Sequence, residues 1–203
     1  MKRTLCFTLG LAVTVATASV QADRISPQPE PGLWRSEAKT LINGQDLQAG
    51  ILAAQEEMLK DLPAEQRDMM RQMLGANDAV GVEMECITAQ EAADLTNPQA
   101  LIDRANQDMQ NCTMEIEQSG ESTMRIRGNC IGGEGFSGDM QGELTMVSRR
   151  EMHTRFTGKG MADIGSAEEL PESMRGMASD QPVDIEHSEI ATWVSEDCGD
   201  LAP

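Results

Sequence analysis

Four kinds of residue in this chain have the chemistry to do something: cysteine, methionine, histidine and closely spaced carboxylates. There are five cysteines. Cys86, Cys112, Cys130 and Cys198 show no Cys-x-x-Cys spacing, which speaks against thiol–disulfide exchange and against a zinc site. Met69, Met70 and Met73 recur on one predicted helical face and offer thioethers to Cu(I). The same spacing builds a packing stripe, a role methionine takes readily where aromatics are scarce. The two histidines, His153 and His187, fall on predicted strands, and a metal pair would require both imidazoles to converge. Gly135-Phe136-Ser137-Gly138 matches part of a nucleophile elbow. It lacks the second glycine, because Met140 follows Asp139, and it lies in a strand pattern rather than at a strand-to-helix turn. Glu83/Glu85 and Glu115/Glu117 have the spacing of one strand face and read as solvated faces rather than an acid–base dyad. Gly132-Gly133-Glu134-Gly135 opens no helix, so a phosphate cradle is unsupported. No catalytic residue and no cofactor follow from these patterns, and the enzyme reading has no constellation behind it.

The setting of the cysteines decides their use. Lys2 and Arg3 precede an apolar stretch, Leu5 to Ala18, that is too short to cross a bilayer, and Val20-Gln21-Ala22 has the small residues of a cleavage site. Residues 1–22 are therefore expected to be a cleaved secretory signal, which removes Cys6. Four cysteines in an exported chain read as two disulfides, and the expected location is the periplasm or beyond.

The full chain has 203 residues and a formal charge of −18. Lys2 and Arg3 leave with the signal, so two positive charges are lost and the remainder is more acidic still. Such a surface repels phosphate backbones and anionic lipid, which excludes nucleic acid as the natural partner. No later apolar stretch approaches the ~20 residues of a spanning helix. The aromatics beyond the signal are Trp34, Phe136, Phe156 and Trp193, against 15 methionines in the chain. The core is therefore expected to be thin and to lean on its crosslinks.

Residues 23–31, with Pro27, Pro29 and Pro31, read as an extended leader. Leu33 to Ile42 alternates, with Trp34, Ala38 and Ile42 on one side, and predicts the first strand. A helical insertion over 45–75 follows: Leu47, Ile51, Leu52, Met58, Leu59 and Leu62 have helical spacing, and Pro63 opens a second helix that ends at Gly75. Val80 to Cys86 returns to period two, with Met84 expected on the inner face. Thr88 and Glu91 have capping-box spacing, and Asn97-Pro98 opens a further helix to about Asp108. Two hairpins come next, and a short helix with loop over 165–181. The last strand spans Val183 to Val194. Ile185 and Ile190 fall out of phase there, which predicts a bulge near His187 to Glu189.

The hairpins have a legible register. Pairing residues whose numbers sum to 242 brings Ile116 to Ile126, Glu115 to Arg127, Glu117 to Arg125 and Cys112 to Cys130. A slip of one residue would separate all of these pairs at once. Pairing to 298 brings Met146 to Met152, Glu143 to Arg155 and His153 to Thr145, and it lays Phe156 over Gly142. Lys159 between Gly158 and Gly160 suggests a bend. The first register selects Cys112–Cys130, which leaves Cys86–Cys198 as the second disulfide.

Pro31-Gly32-Leu33-Trp34, the Pro/Gln/Arg stretch Leu62 to Arg67, Cys86-Ile87-Thr88 before a short helix, and Asp197-Cys198-Gly199 near the end occur in a recognisable order. On these motifs the chain resembles the exported proteobacterial family catalogued as domain of unknown function 3617. The resemblance implies a periplasmic single domain on an antiparallel sheet, and it implies no activity.

The expected fold is α+β. A curved antiparallel sheet of about six to eight strands forms a single disulfide-bonded domain over 32–200, with the 45–75 helices packed on an inner face of Trp34, Met84, Ile116, Ile126, Leu144 and Phe156. The expected function is a non-catalytic binding or interaction module, its partner a protein or an apolar small molecule held against a Met-rich wall. A Met-rich copper protein is the alternative, and a hydrolase a weaker one.

Overall fold

A computed structural model describes residues 24–60, 62–74, 80–132, 136–162, 168, 170–177 and 181–202. The expected signal at 1–22, the helix end at Gly75, the glycines Gly133 and Gly135, and much of 165–181 lie outside the described residues.

The architecture is an eight-stranded antiparallel sheet with short helices. The strands are β1 (Gly32–Ile42), β2 (Gln45–Asp46), β3 (Val82–Ile87), β4 (Cys112–Gln118), β5 (Thr123–Cys130), β6 (Phe136–Ser148), β7 (Glu151–Ala162) and β8 (Val183–Ser195). The helices are α1 (Leu47–Lys60), α2 (Ala64–Leu74), α3 (Ala89–Asp94) and α4 (Pro98–Asp108), with a 3-10 turn over Glu172–Met177. Strands β4 to β8 form a meander. β1 closes against β8, and both β2 and β3 pair with β1.

Both hairpin registers are as the residue pairs required. Ile116 faces Ile126 and Cys112 faces Cys130; Met146 faces Met152 and Gly142 faces Phe156. The disulfides are Cys112–Cys130 and Cys86–Cys198.

One face of the sheet carries the core. Trp34, Met124, Ile126, Leu144, Met146, Met152 and Ala191 are buried together with Ile25, Ile87 and Ala92. Leu95, Leu101 and Ala105 of the α3–α4 segment pack against them. Thr88 and Glu91 form the expected capping box on α3, and Asn97 caps α4 ahead of Pro98. Residues 24–31 lie along this end of the sheet. Ile25 and Pro29 are buried, and the backbone N–H groups of Ile25, Ser26 and Glu30 donate to the carbonyls of Thr96, Glu121 and Arg149.

The helical block sits elsewhere than expected. α1 covers a second, smaller cluster at the far end of the same face, where Ile42, Met177 and Val183 are buried beside Leu47, Met174 and Ile185. α2 buries none of its described side chains, and Met69 and Met70 are exposed. It is tied back through Arg67, which donates from Nε to the Leu59 carbonyl at 3.1 Å and from Nη2 to the Leu62 carbonyl at 3.0 Å, capping the end of α1. The main cover is thus α3–α4 with residues 24–31. The reason is spacing along the chain: α4 runs straight into β4 and is delivered onto the adjoining face, whereas α2 follows α1 and is tied to its end through Arg67.

Three further expectations are corrected. Met84 pairs with Arg35 and is exposed on the opposite face, while Glu85 shares the face of Trp34. β3 is an edge strand, and Glu83 and Glu85 on its acidic side are exposed to solvent at no desolvation cost. The bulge in β8 falls at Val194, opposite Leu33 and Trp34, and the register through His187 to Glu189 is unbroken. Ile190 and Val194 are simply exposed on the outer face, so no phase change is needed to bury them. The register also runs unbroken through Gly158 to Gly160, where Gly160 faces Gly138 at close backbone approach instead of forming a bend.

Candidate functional site

The two faces of the sheet differ in what they leave open. On the core face, bare backbone is filled by neighbouring side chains. Phe156 lies on Gly142, Met114 and Met140 lie on Gly128, and the Phe136 ring lies over Gly158. Glycine permits this because a Cβ at any of these positions would meet the covering side chain.

A polar island interrupts that face between its two apolar clusters. His187 pairs across strands with Thr40 and with Phe156. Thr40 Oγ1 is 3.0 Å from His187 Nδ1, and Glu189 Oε2 is 3.9 Å from His187 Nε2. The Glu189 carboxyl is held below the usual carboxylate range, chiefly by the His187 imidazole beside it and further by the Ser36 hydroxyl, against an opposing push from burial. The order hydroxyl, imidazole, carboxylate is that of a nucleophilic relay. The surroundings suit orientation rather than turnover. β8 has a strand on each side, so ladder bonds occupy the backbone N–H groups that an oxyanion hole would need. The sequence pointed to His187 as a residue but not to Thr40 or Ser36. Only the cross-strand register brings those hydroxyls to it.

His153 lies on the opposite face, paired with Thr145 and Ile190, with Nε2 2.8 Å from Glu151 Oε1. One sheet thickness separates the two imidazoles, so they do not converge. Among the described residues, no group of three or more His, Cys, Asp or Glu is arranged to hold a metal ion. Ser137 Oγ donates to the Cys130 carbonyl and accepts from the Gly132 N–H, a structural use of the hydroxyl.

The outer face is where space opens. Four adjoining hollows of about 260–610 Å³ are lined chiefly by outward residues of β1 and β5–β8. Rows of partners cross the strands here. One runs Lys39, Ser188, Arg155, Glu143, Arg125, Glu117. The next runs Leu41, Glu186, Thr157, Gln141, Arg127, Glu115. Opposite charges alternate, so this face is close to neutral on a chain of charge −18. Several charges are satisfied internally. Arg125 lies 3.6 Å from Glu117 and 4.0 Å from Glu143, Arg127 lies 3.6 Å from Glu117, and Lys159 lies 3.4 Å from Asp184. Arg155 faces Glu143 in register as the sequence pairing required. Glu143 nevertheless pairs with Arg125. Arg155 lines three of the four hollows.

Exposed Met69 and Met70 on α2, with Met58 on α1, leave thioethers accessible to solvent. The side chain of Met73 lies outside the described residues. Exposure removes the packing stripe as the account of Met69 and Met70.

A family model described as Protein of unknown function (DUF3617) matches residues 29–198. No curated protein and no solved structure matches the chain.

Proposed function

We propose that this chain, which belongs to the DUF3617 family, is a non-catalytic binding module that works outside the cytoplasm and holds a hydrophilic ligand or partner on the outer face of its sheet. The observation that carries this reading is the contrast between the faces. On the core face methionine and phenylalanine side chains cover the bare glycine backbone, whereas the outer face presents adjoining hollows lined by charged and hydroxyl side chains. A polar trough favours a polar occupant, because an apolar one would strip water from Arg and Glu side chains without replacing their hydrogen bonds.

The extracytoplasmic setting is supported by the signal-like start and by two disulfides, which persist in oxidising compartments. Among the described residues no helix is long and apolar enough to cross a membrane.

The test is capture. Protein recovered with its disulfides from its native compartment is analysed by native mass spectrometry, alongside variants that fill the trough, Thr157→Trp and Gln141→Trp. A bound mass on the wild type that both variants lose is the expected result. Equal recovery on all three moves the site elsewhere, and recovery on none ends the binding reading.

A second reading rests on the exposure of Met69 and Met70: Cu(I) capture by thioethers on α2. Cu(I) titration of the wild type against Met69→Leu/Met70→Leu/Met73→Leu decides it, and equal affinity disposes of it.

A further inference from the structure

The outer trough holds two opposite charges that the fold leaves exposed and pairs with no protein group. Among the described residues the side chain of neither Arg155 nor Glu186 has an ion-pair or hydrogen-bond partner, although those of their neighbours Arg125, Glu143, Lys159 and Asp184 all do. Both line the same hollow of about 260 Å³, with Ser188 and Thr157 between them and Leu41 and Lys39 at the side. Arg155 pairs across strands with Ser188, and Thr157 pairs with Glu186. Arg155 and Glu186 are therefore diagonal neighbours on adjacent strands, a separation of about 7–8 Å. No ion pair joins them, so the two charged heads stand apart rather than in contact.

On this pair, and resting on the binding reading above, we propose that the trough takes a zwitterion, a free amino acid or short peptide, with its carboxylate on Arg155 and its ammonium on Glu186. Arg offers a planar fork that matches a carboxylate in two bonds. The hydroxyls of Ser188 and Thr157 stand where peptide groups between the termini would lie. Net charge decides between a zwitterion and a simple ion. A plain anion would meet Glu143 and Glu186 beside Arg155 and the field of a chain at −18. A plain cation would meet Lys39 and Arg155 beside Glu186. Only a ligand carrying both charges satisfies both side chains and feels little net repulsion.

The experiment titrates the intact, disulfide-bonded protein with triglycine, N-acetyl-triglycine and triglycine amide, read by calorimetry and by amide shifts on β7 and β8. Triglycine is expected to bind, and each blocked form to bind at least ~10-fold more weakly, a loss of ~1.4 kcal/mol. Arg155→Gln and Glu186→Gln are each expected to weaken triglycine at least ~10-fold, and Lys60→Gln, on α1, to leave it unchanged. Equal binding of the three peptides, no binding of any, or wild-type affinity in both trough variants overturns the proposal. If Thr157→Trp still abolishes native capture while the peptides fail, the ligand class is wrong and the trough stands. If capture survives Thr157→Trp, both are wrong.

Discussion

The ring of Phe156 rests directly on the backbone of Gly142, its cross-strand partner, and leaves no room there for a methyl group. This contact joins β6 to β7 beneath the core, and Phe156 in turn tilts against His187 with ring centroids 6.4 Å apart. Gly142→Ala is expected to cost about 1–3 kcal/mol through overpacking. In the Phe156→Leu background the same substitution is expected to cost less, because the smaller side chain vacates the ring's share of the space and leaves only the Arg155 carbonyl against the new methyl. Denaturant melts of the four proteins in a double-mutant cycle measure the coupling. Strict additivity would show that the ring does not depend on the bare backbone.

The two disulfides close loops of very different length, with sequence separations of 18 and 112. In the loop-entropy account, losing Cys112–Cys130 costs about 3 kcal/mol and losing Cys86–Cys198 about 4.7 kcal/mol. Paired Cys→Ala variants are expected to rank in that order by denaturant midpoint. A reversed order would show that the short crosslink braces native structure beyond closing its loop.

The capping box on α3 satisfies two orphan N–H groups at once. Glu91 N donates to Thr88 Oγ1 at 3.2 Å, and Thr88 N donates to Glu91 Oε2 at 2.8 Å. The bond from the Thr88 N–H foremost, and a second from the Thr88 hydroxyl to the same Oε2, hold the Glu91 carboxyl below the usual range. Thr88→Ala is expected to cost about 1 kcal/mol. Hydrogen exchange is expected to quicken first at the start of α3, which packs Ala92 into the core. Unchanged exchange there would deny the cap its role.

Glu189 sets an acid limb for stability. Its folded pKa lies below the ordinary value of 4.5. Its stabilising contribution is therefore fully present above about 4.5 and is lost as pH falls through the lower folded value. Glu189→Gln is expected to be less stable than wild type at neutral pH, with the gap narrowing as pH drops below about 4.5. Thermal melts across that range check it. A gap independent of pH would show that the carboxylate's charge is not what His187 and Ser36 hold.

Most of the sheet was legible because its constraints are local. The two hairpins each carry apolar, charged and cysteine or glycine pairs that agree on one register, and that register alone selects both disulfides. The caps at Thr88 and Asn97 were legible for the same reason. Alternation in β3 was read correctly as a strand and wrongly as to which side faces the core. An edge strand pays little for turning carboxylates inward, and nothing in its own residues reports that it lies at an edge.

The sequence by itself determined most of the strands, their hairpin pairing, the crosslinks and the family, since the pairings rest on neighbours a few residues apart and the second crosslink on the two cysteines left over; it read Gln45–Asp46, a short strand, as part of the helical block. Only the tertiary structure decided which helices cover the sheet, that α2 leaves Met69 and Met70 in solvent, and that Thr40 meets His187 from 147 residues away. It also decided that Arg155 and Glu186 stand unpaired in one hollow. Those relations depend on how β1 docks against β8, a long-range pairing whose partners carry no local mark of one another.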